Sequence, residues 1–171
     1  MRGWPGTSVL PLILAAAIAI HNAEEVLTLP SYPQFLRWPV ELGLLESLPS
    51  LATLQWGVAA FAVVPALILY RAWAKPTPRL AFVTAMIGAM TAFNALLPHI
   101  AGALWTGGYV PGLVSAVALT LPIGLFTLWR SASVDALGRG RTAMAAIAGV
   151  LLLPLVLVGF WALNELILEL S

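Results

Sequence analysis

The stretch TSVLPLILAAAIAIHNAEEVLTL, residues 7–29, decides the class of this chain. Residues 7–20 carry no charge at all. A helix needs about 20 mostly apolar residues to cross the hydrocarbon core of a bilayer, and this stretch supplies them. Its second half then departs from the pattern, because His21, Asn22, Glu24 and Glu25 follow within five positions. A carboxylate inside hydrocarbon costs a few kcal/mol at least, so such a group faces the interior of a bundle and takes a partner. The stretch therefore reads as a membrane helix that brings costly polar groups to something else.

Working outward, four more stretches share the character of the first: about 49–70, 80–104, 110–129 and 142–168. Hydrophobic residues make up 61% of the chain, charged residues 9%, and the mean hydropathy is +0.97. An average soluble domain is about 45–50% apolar and about 25% charged. The eight Lys/Arg and seven Asp/Glu cannot cover a soluble surface, which excludes a soluble globular enzyme, a disordered chain and a nucleic-acid binder. Cysteine is absent, so disulfides, thiolate metal sites, iron–sulfur clusters and covalent haem are excluded as well. At 171 residues the expectation is one all-α membrane domain, a polytopic bundle of five transmembrane helices.

The connections differ in kind. Residues 30–48 form the longest link, with Pro30, Pro33 and Pro39, the charges Arg37, Glu41 and Glu46, and enough apolar residues to lie in the membrane interface. Residues 71–79 and 130–141 are polar and basic, whereas 105–109 is a tight turn built on Gly107 and Gly108. The first stretch also has features of a signal peptide: Arg2, an apolar core and a small-residue site at Ala17-Ile18-Ala19. Its apolar run continues past that site, which argues for a retained span.

Lys and Arg mark the cytoplasmic loops of membrane proteins. Arg71, Lys75 and Arg79 fall in one link, Arg130, Arg139 and Arg141 in another, and Arg2 at the N-terminus. Five spans with the N-terminus cytoplasmic and the C-terminus extracytoplasmic put all seven on one side. In that arrangement every span carries its polar residues in the outer half: His21 to Glu25, Gln55, Asn94 and His99, Tyr109, and Asn164 with Glu165. The expectation is one polar pocket open to the outer face.

On a helix, residues three and four apart share a face, so Glu24 and Glu25 both flank His21. That spacing suits two chemistries. A His and a Glu one turn apart can bind one metal ion, as in carboxylate-bridged metal bundles. His21, Glu24, Glu25, His99 and Glu165 make a nitrogen- and oxygen-rich shell fit for zinc, iron or manganese. Alternatively, a buried Glu beside a His is a general acid–base pair that needs no metal. Glu24, Glu25 and Tyr109 are the candidate catalytic groups; Gln55, Trp56, Asn94, Trp161 and Asn164 are candidates for the pocket lining. Each has a plainer reading. Membrane histidines and amides often serve as interhelical hydrogen-bonders, Glu165 can snorkel to water, Tyr109 can simply open a helix ahead of Pro111, and most of the seven Trp lie near span ends as interface anchors.

At His21-Asn22-Ala23-Glu24-Glu25 the chain resembles a family of small bacterial membrane proteins named for its His-x-x-Glu-Glu motif. The resemblance extends to Asn94 with His99 and to Tyr109-x-Pro111-Gly112 at the start of the fourth span. It implies that these positions form one site and that the location is a bacterial inner membrane; it implies no reaction. A looser similarity, in architecture alone, is to five-helix sterol isomerases of the emopamil-binding type.

The function expected from these residues is a membrane-embedded enzyme, assisted by a divalent metal, acting on a lipidic or isoprenoid-like substrate. The alternatives are a metal-free acid–base isomerase or cyclase, and a non-enzymatic transporter, proton-coupled carrier or metal-handling protein. The expected partners are the lipid bilayer, a hydrophobic small molecule and a second copy in a homodimer, with no nucleic acid.

Overall fold

A computed structural model gives the structure of the protein and describes residues 8–32, 37–41, 43, 49–133 and 137–170. The side chains of 38, 39, 160, 161, 164, 165 and 167–170 lie outside that description. The described residues form helices and turns with no strand. Five helices are long and apolar enough to cross a membrane: Leu10–Ser31, Leu51–Ala74, Pro78–Thr106, Leu113–Ser133 and Gly138–Gly159. They are called the first to fifth spans below, and each overlaps the stretch expected for it. The fifth helix itself continues to Leu170. In the long link, a short helix at Arg37–Glu41 is described.

Local chemistry sets the ends. Ser50 caps the second span by accepting from the Thr53 amide at 3.1 Å, and Thr77 caps the third by accepting from the Leu80 amide at 3.2 Å. A hydroxyl there satisfies an amide that the first turn leaves without a partner. Proline follows at Pro78, where its missing N–H costs nothing.

Two spans are not uniform. The third is α-helical to Asn94, widens to a π-helix over Ala95–Ala101 and closes again over Gly102–Thr106. Pro98 stands inside the widened turn; without an N–H it cannot bond the carbonyl four residues back, and its ring crowds that carbonyl. The fourth span is likewise widened over Ala116–Thr120. Such π segments occur often at functional sites.

The first span packs chiefly on the second, and the third packs on the fourth and fifth. Small residues permit the close approach. A methyl group on Gly124 would stand 2.6 Å from the Gly88 carbonyl, and one on Gly88 would stand 3.0 Å from Thr127. On the fifth span, Gly149 abuts Met86 and Ala89 in the same way. Between membrane helices, association depends on this kind of packing because lipid is as apolar as leucine. Large apolar side chains face outward instead: Leu27, Leu67, Leu104 and Leu155 are 77%, 66%, 80% and 68% exposed. Tyr70, Trp73, Trp105 and Trp129 are exposed near span ends, as an interfacial belt requires.

Candidate functional site

The site gathers where the end of the first span, the end of the third and the start of the fourth meet. The sharp entry into the fourth span comes first. Val110-Pro111-Gly112-Leu113 is a type II turn: the Leu113 amide donates to the Val110 carbonyl at 3.1 Å, and Gly112 takes φ +79°, ψ −3°. Proline at the second position and glycine at the third are the residues this turn demands. A Cβ on Gly112 would also lie 2.9 Å from Cε1 of both His21 and His99, so the turn rests directly on two imidazoles.

His99 reaches that place because of the π segment. In an α-helix, five residues advance about 140° beyond a full turn, so Asn94 and His99 would point apart. Here Asn94 Nδ2 donates to His99 Nε2 at 3.2 Å. The same Nδ2 lies 3.3 Å from His21 Nε2. The two rings meet edge to face with centroids 4.6 Å apart, and both are buried, 2% and 1% exposed.

The hydrogen-bond partners assign the protons. His99 Nδ1 lies 2.7 Å from the Pro111 carbonyl, which only accepts, so Nδ1 carries the hydrogen and Nε2 a lone pair. Ser115 Oγ donates to the Gly112 carbonyl at 3.3 Å and therefore accepts from His21 Nδ1 at 3.1 Å. His21 Nε2 is left with a lone pair as well. Each imidazole is thus held at Nδ1 by a backbone carbonyl or a hydroxyl and offers Nε2 toward one point. Histidines that bind metals are oriented in this manner.

The two glutamates of the first span separate. Glu25 joins the histidines: its Oε2 lies 3.8 Å from His21 Nε2, and donor atoms of His21, Glu25 and His99 all lie within 4.8 Å of one another. Glu24 turns to the fourth span. Its Oε1 accepts from the Tyr109 hydroxyl at 2.7 Å and the Val114 amide at 3.2 Å, and its Oε2 accepts from the Ser115 amide at 2.8 Å. Those are first-turn amides that the Pro111-Gly112 turn leaves open, and a carboxylate at a helix N-terminus also meets the favourable end of the dipole. Tyr109 lies outside the spans. Partial burial pushes its hydroxyl above the ordinary phenol value, and the bond to Glu24 acts in the same direction.

Two imidazole lone pairs and one carboxylate oxygen can hold a metal ion. The Asn94 amide donates between the two imidazoles, 3.3 Å from His21 Nε2 and 3.2 Å from His99 Nε2. Around a tetrahedral zinc at about 2.1 Å, ligand atoms stand about 3.4 Å apart. A spread of up to 4.8 Å closes to that by about 1.4 Å, and the chemistry of the donor set fits a borderline cation.

The remaining candidates divide. Asn94 is central to the group. Gln55 lies one turn away, its Nε2 donating to the Val26 carbonyl at 3.4 Å, and Asn22 Nδ2 donates to the Val58 carbonyl at 2.6 Å, joining the first and second spans. Trp56 is 69% exposed on the outside of the second span. It lines no part of the site, because an apolar ring on a membrane helix is as well accommodated by lipid as by a core. Trp161, Asn164 and Glu165 lie on the fifth helix, with side chains outside the described residues. Ser115 and the Pro111 carbonyl, which hold the imidazoles, were not legible as functional; only Pro98 beside His99 and the Pro111-Gly112 pair hinted at them. His21 and Asn94 also line a small cavity of about 50 Å³, with Ile18, Phe61, Pro65, Ile87, Met90 and Leu153 among its other walls.

A family model described as a protein of unknown function with an HXXEE motif matches residues 12–127. The match contains every residue of the His/Glu site described above and ends within the fourth span. No curated protein and no solved structure matches the chain.

Proposed function

The chain belongs to the HXXEE-motif family, for which no function is known, and from the chemistry of its own site we propose that it is a multi-pass membrane enzyme using a divalent metal on a lipidic substrate. One observation carries this reading: one ligand atom from each of His21, Glu25 and His99 lies within 4.8 Å of the others, with both Nδ1 atoms engaged by Ser115 and Pro111. Three protein ligands leave the fourth position of zinc to water or substrate, which is the pattern of catalytic rather than structural zinc. When bound, such an ion supplies a Lewis acid and a water acidic enough to ionise near neutral pH. The walls of the cavity of about 50 Å³ beside His21 and Asn94 are mostly apolar, which suits an apolar group of a few atoms and not a whole lipid chain. The basic links support an orientation with the N-terminus cytoplasmic, in which the site would lie in the outer half of the bilayer; the family resemblance is what suggests a bacterial inner membrane.

A second reading rests on the 3.8 Å between Glu25 and His21. A protonated Glu25 beside the His21 lone pair is an acid–base pair for metal-free isomerisation. Metal analysis of the purified chain after mild detergent extraction separates the two. The expected result is one equivalent of zinc, iron or manganese, absent from Glu25→Gln and His99→Ala chains that keep the wild-type helical circular dichroism. A wild-type chain that stays metal-free in the presence of excess zinc refutes the metal reading and leaves the acid–base pair.

A further inference from the structure

The motif places two glutamates beside one histidine, yet they do different things. Glu24 is outside the group formed by His21, Glu25 and His99, and its two oxygens are taken by the Tyr109 hydroxyl and the amides of Val114 and Ser115. Ser115 is the residue that receives His21 Nδ1. Its backbone is held by Glu24 while its hydroxyl holds the imidazole, so the first span touches the fourth twice through one residue.

We propose that Glu24 is a positioning residue rather than a ligand: by clamping the Val114 and Ser115 amides it sets the Ser115 hydroxyl, which fixes His21 as the Nδ1–H tautomer with Nε2 facing Asn94 and Glu25. The metal-binding consequence rests on the function proposed above, whereas the tautomer does not. Without the clamp, the first turn of the fourth span is free to move relative to the first span, and the Nδ1–H tautomer of His21 loses its support on that side, leaving the Asn94 amide at Nε2 as the contact that still favours it. A ring in the other tautomer presents an N–H to the metal position and cannot ligate there. Outer partners of this kind are worth about 10–100-fold in metal affinity.

The chain has two histidines, so nitrogen-15 labelling of histidine gives two ring spin systems, and a His99→Asn variant assigns His21. In the metal-free full-length protein, His21 is expected with a protonated Nδ1 and an unprotonated Nε2. Glu24→Gln, which turns an amide donor toward the clamped amides, is expected to mix the His21 tautomers. Ser115→Ala should do the same, and Ser115→Thr, which keeps the hydroxyl, should restore the wild-type pattern. A folded Glu24→Gln chain with an unmixed His21 overturns the proposal. Should that variant fail to fold, an unmixed Ser115→Ala spectrum overturns it equally. Zinc titration adds the second arm: Glu24→Gln is expected to keep one site weakened about 10–100-fold, and loss of the site to the extent seen in Glu25→Gln would make Glu24 a ligand and overturn the proposal. If wild type binds no zinc, the metal reading fails while the tautomer experiment still decides the role of Glu24.

Discussion

Gly112→Ala probes the site through a single methyl group. Gly112 sits at φ +79°, where an L side chain costs about 1–2 kcal/mol. The new Cβ would also lie 2.9 Å from Cε1 of both His21 and His99 and 3.2 Å from His99 Nδ1. Ordinary carbon contacts begin near 3.5 Å, so both rings must yield by about 0.5 Å or more. The His99 bond to the Pro111 carbonyl, 2.7 Å long, is strained by the same displacement, at about 1 kcal/mol for a buried bond. The expected destabilisation is about 2–4 kcal/mol. Gly107→Ala is the matched control, because Gly107 has φ +68° and nothing within 4 Å of its would-be Cβ; it should cost only the backbone part. The assay is thermal unfolding of both variants in one detergent, with zinc titration alongside. A displacement of about 0.5 Å exceeds the roughly 0.2 Å that coordination distances allow, so zinc affinity should fall at least about tenfold in Gly112→Ala and hold in Gly107→Ala. Equal melting temperatures and equal zinc affinities in the two variants would refute the packing of this turn on the imidazoles.

Gly124→Leu should cost about 1–3 kcal/mol or part the third and fourth spans, since its Cβ would meet the Gly88 carbonyl at 2.6 Å, while Gly159→Leu, with open space around it, should melt like wild type. The raised Tyr109 hydroxyl holds its proton longer in the folded than in the unfolded chain. Its contribution is therefore complete below about pH 10 and lost as pH rises through the folded value; melting curves from pH 8 to 12 should fall more steeply for wild type than for Tyr109→Phe, and parallel curves would remove the Tyr109–Glu24 bond from the account. Asn94→Asp replaces a donor between the acceptors with a carboxylate; the metal-free chain should lose stability and zinc should bind more tightly, and an unchanged zinc affinity would count against convergence of the two Nε2 atoms there. Because the chain has no cysteine, single cysteines at Pro76 and Gly108 should react with an impermeant thiol reagent from opposite sides of the membrane, with Gly108→Cys labelled from outside intact cells.

The spans were legible because apolar length alone decides whether a helix can cross a bilayer, and no tertiary contact was needed to find Leu10–Ser31 or Leu51–Ala74. Which way a residue on a span faces was not legible by the same signal. Trp56 and Leu14 are both apolar, yet one is 69% exposed and the other fully buried, since lipid and core reward the same chemistry. Small residues carried more of that information: Gly88, Gly124 and Gly149 mark where backbones touch. At the site, His21 and Glu25 were legible from their one-turn spacing. Asn94 and His99 were legible as candidates, but not their contact with each other, because a spacing of five is wrong for an α-helix and becomes right only once the helix widens around Pro98.

The division between Glu24 and Glu25 shows why spacing cannot assign roles by itself. Both carboxylates share a face with His21, and intrahelical geometry treats them nearly alike. What separates them is the fourth span, whose first turn begins at a Pro111-Gly112 corner and so lacks a residue of its own to cap it. The open amides of Val114 and Ser115 draw the nearer carboxylate, and a carboxylate so engaged already has its acceptor oxygens satisfied. Glu25 has no comparable donor shell among the described hydrogen bonds and stands instead against the lone pair of His21 at 3.8 Å. Two acceptors held face to face are unfavourable unless a proton or a cation lies between them. The helix terminus therefore satisfies one glutamate and leaves the other for chemistry, which is why a pair of adjacent acids can serve one site without duplicating each other.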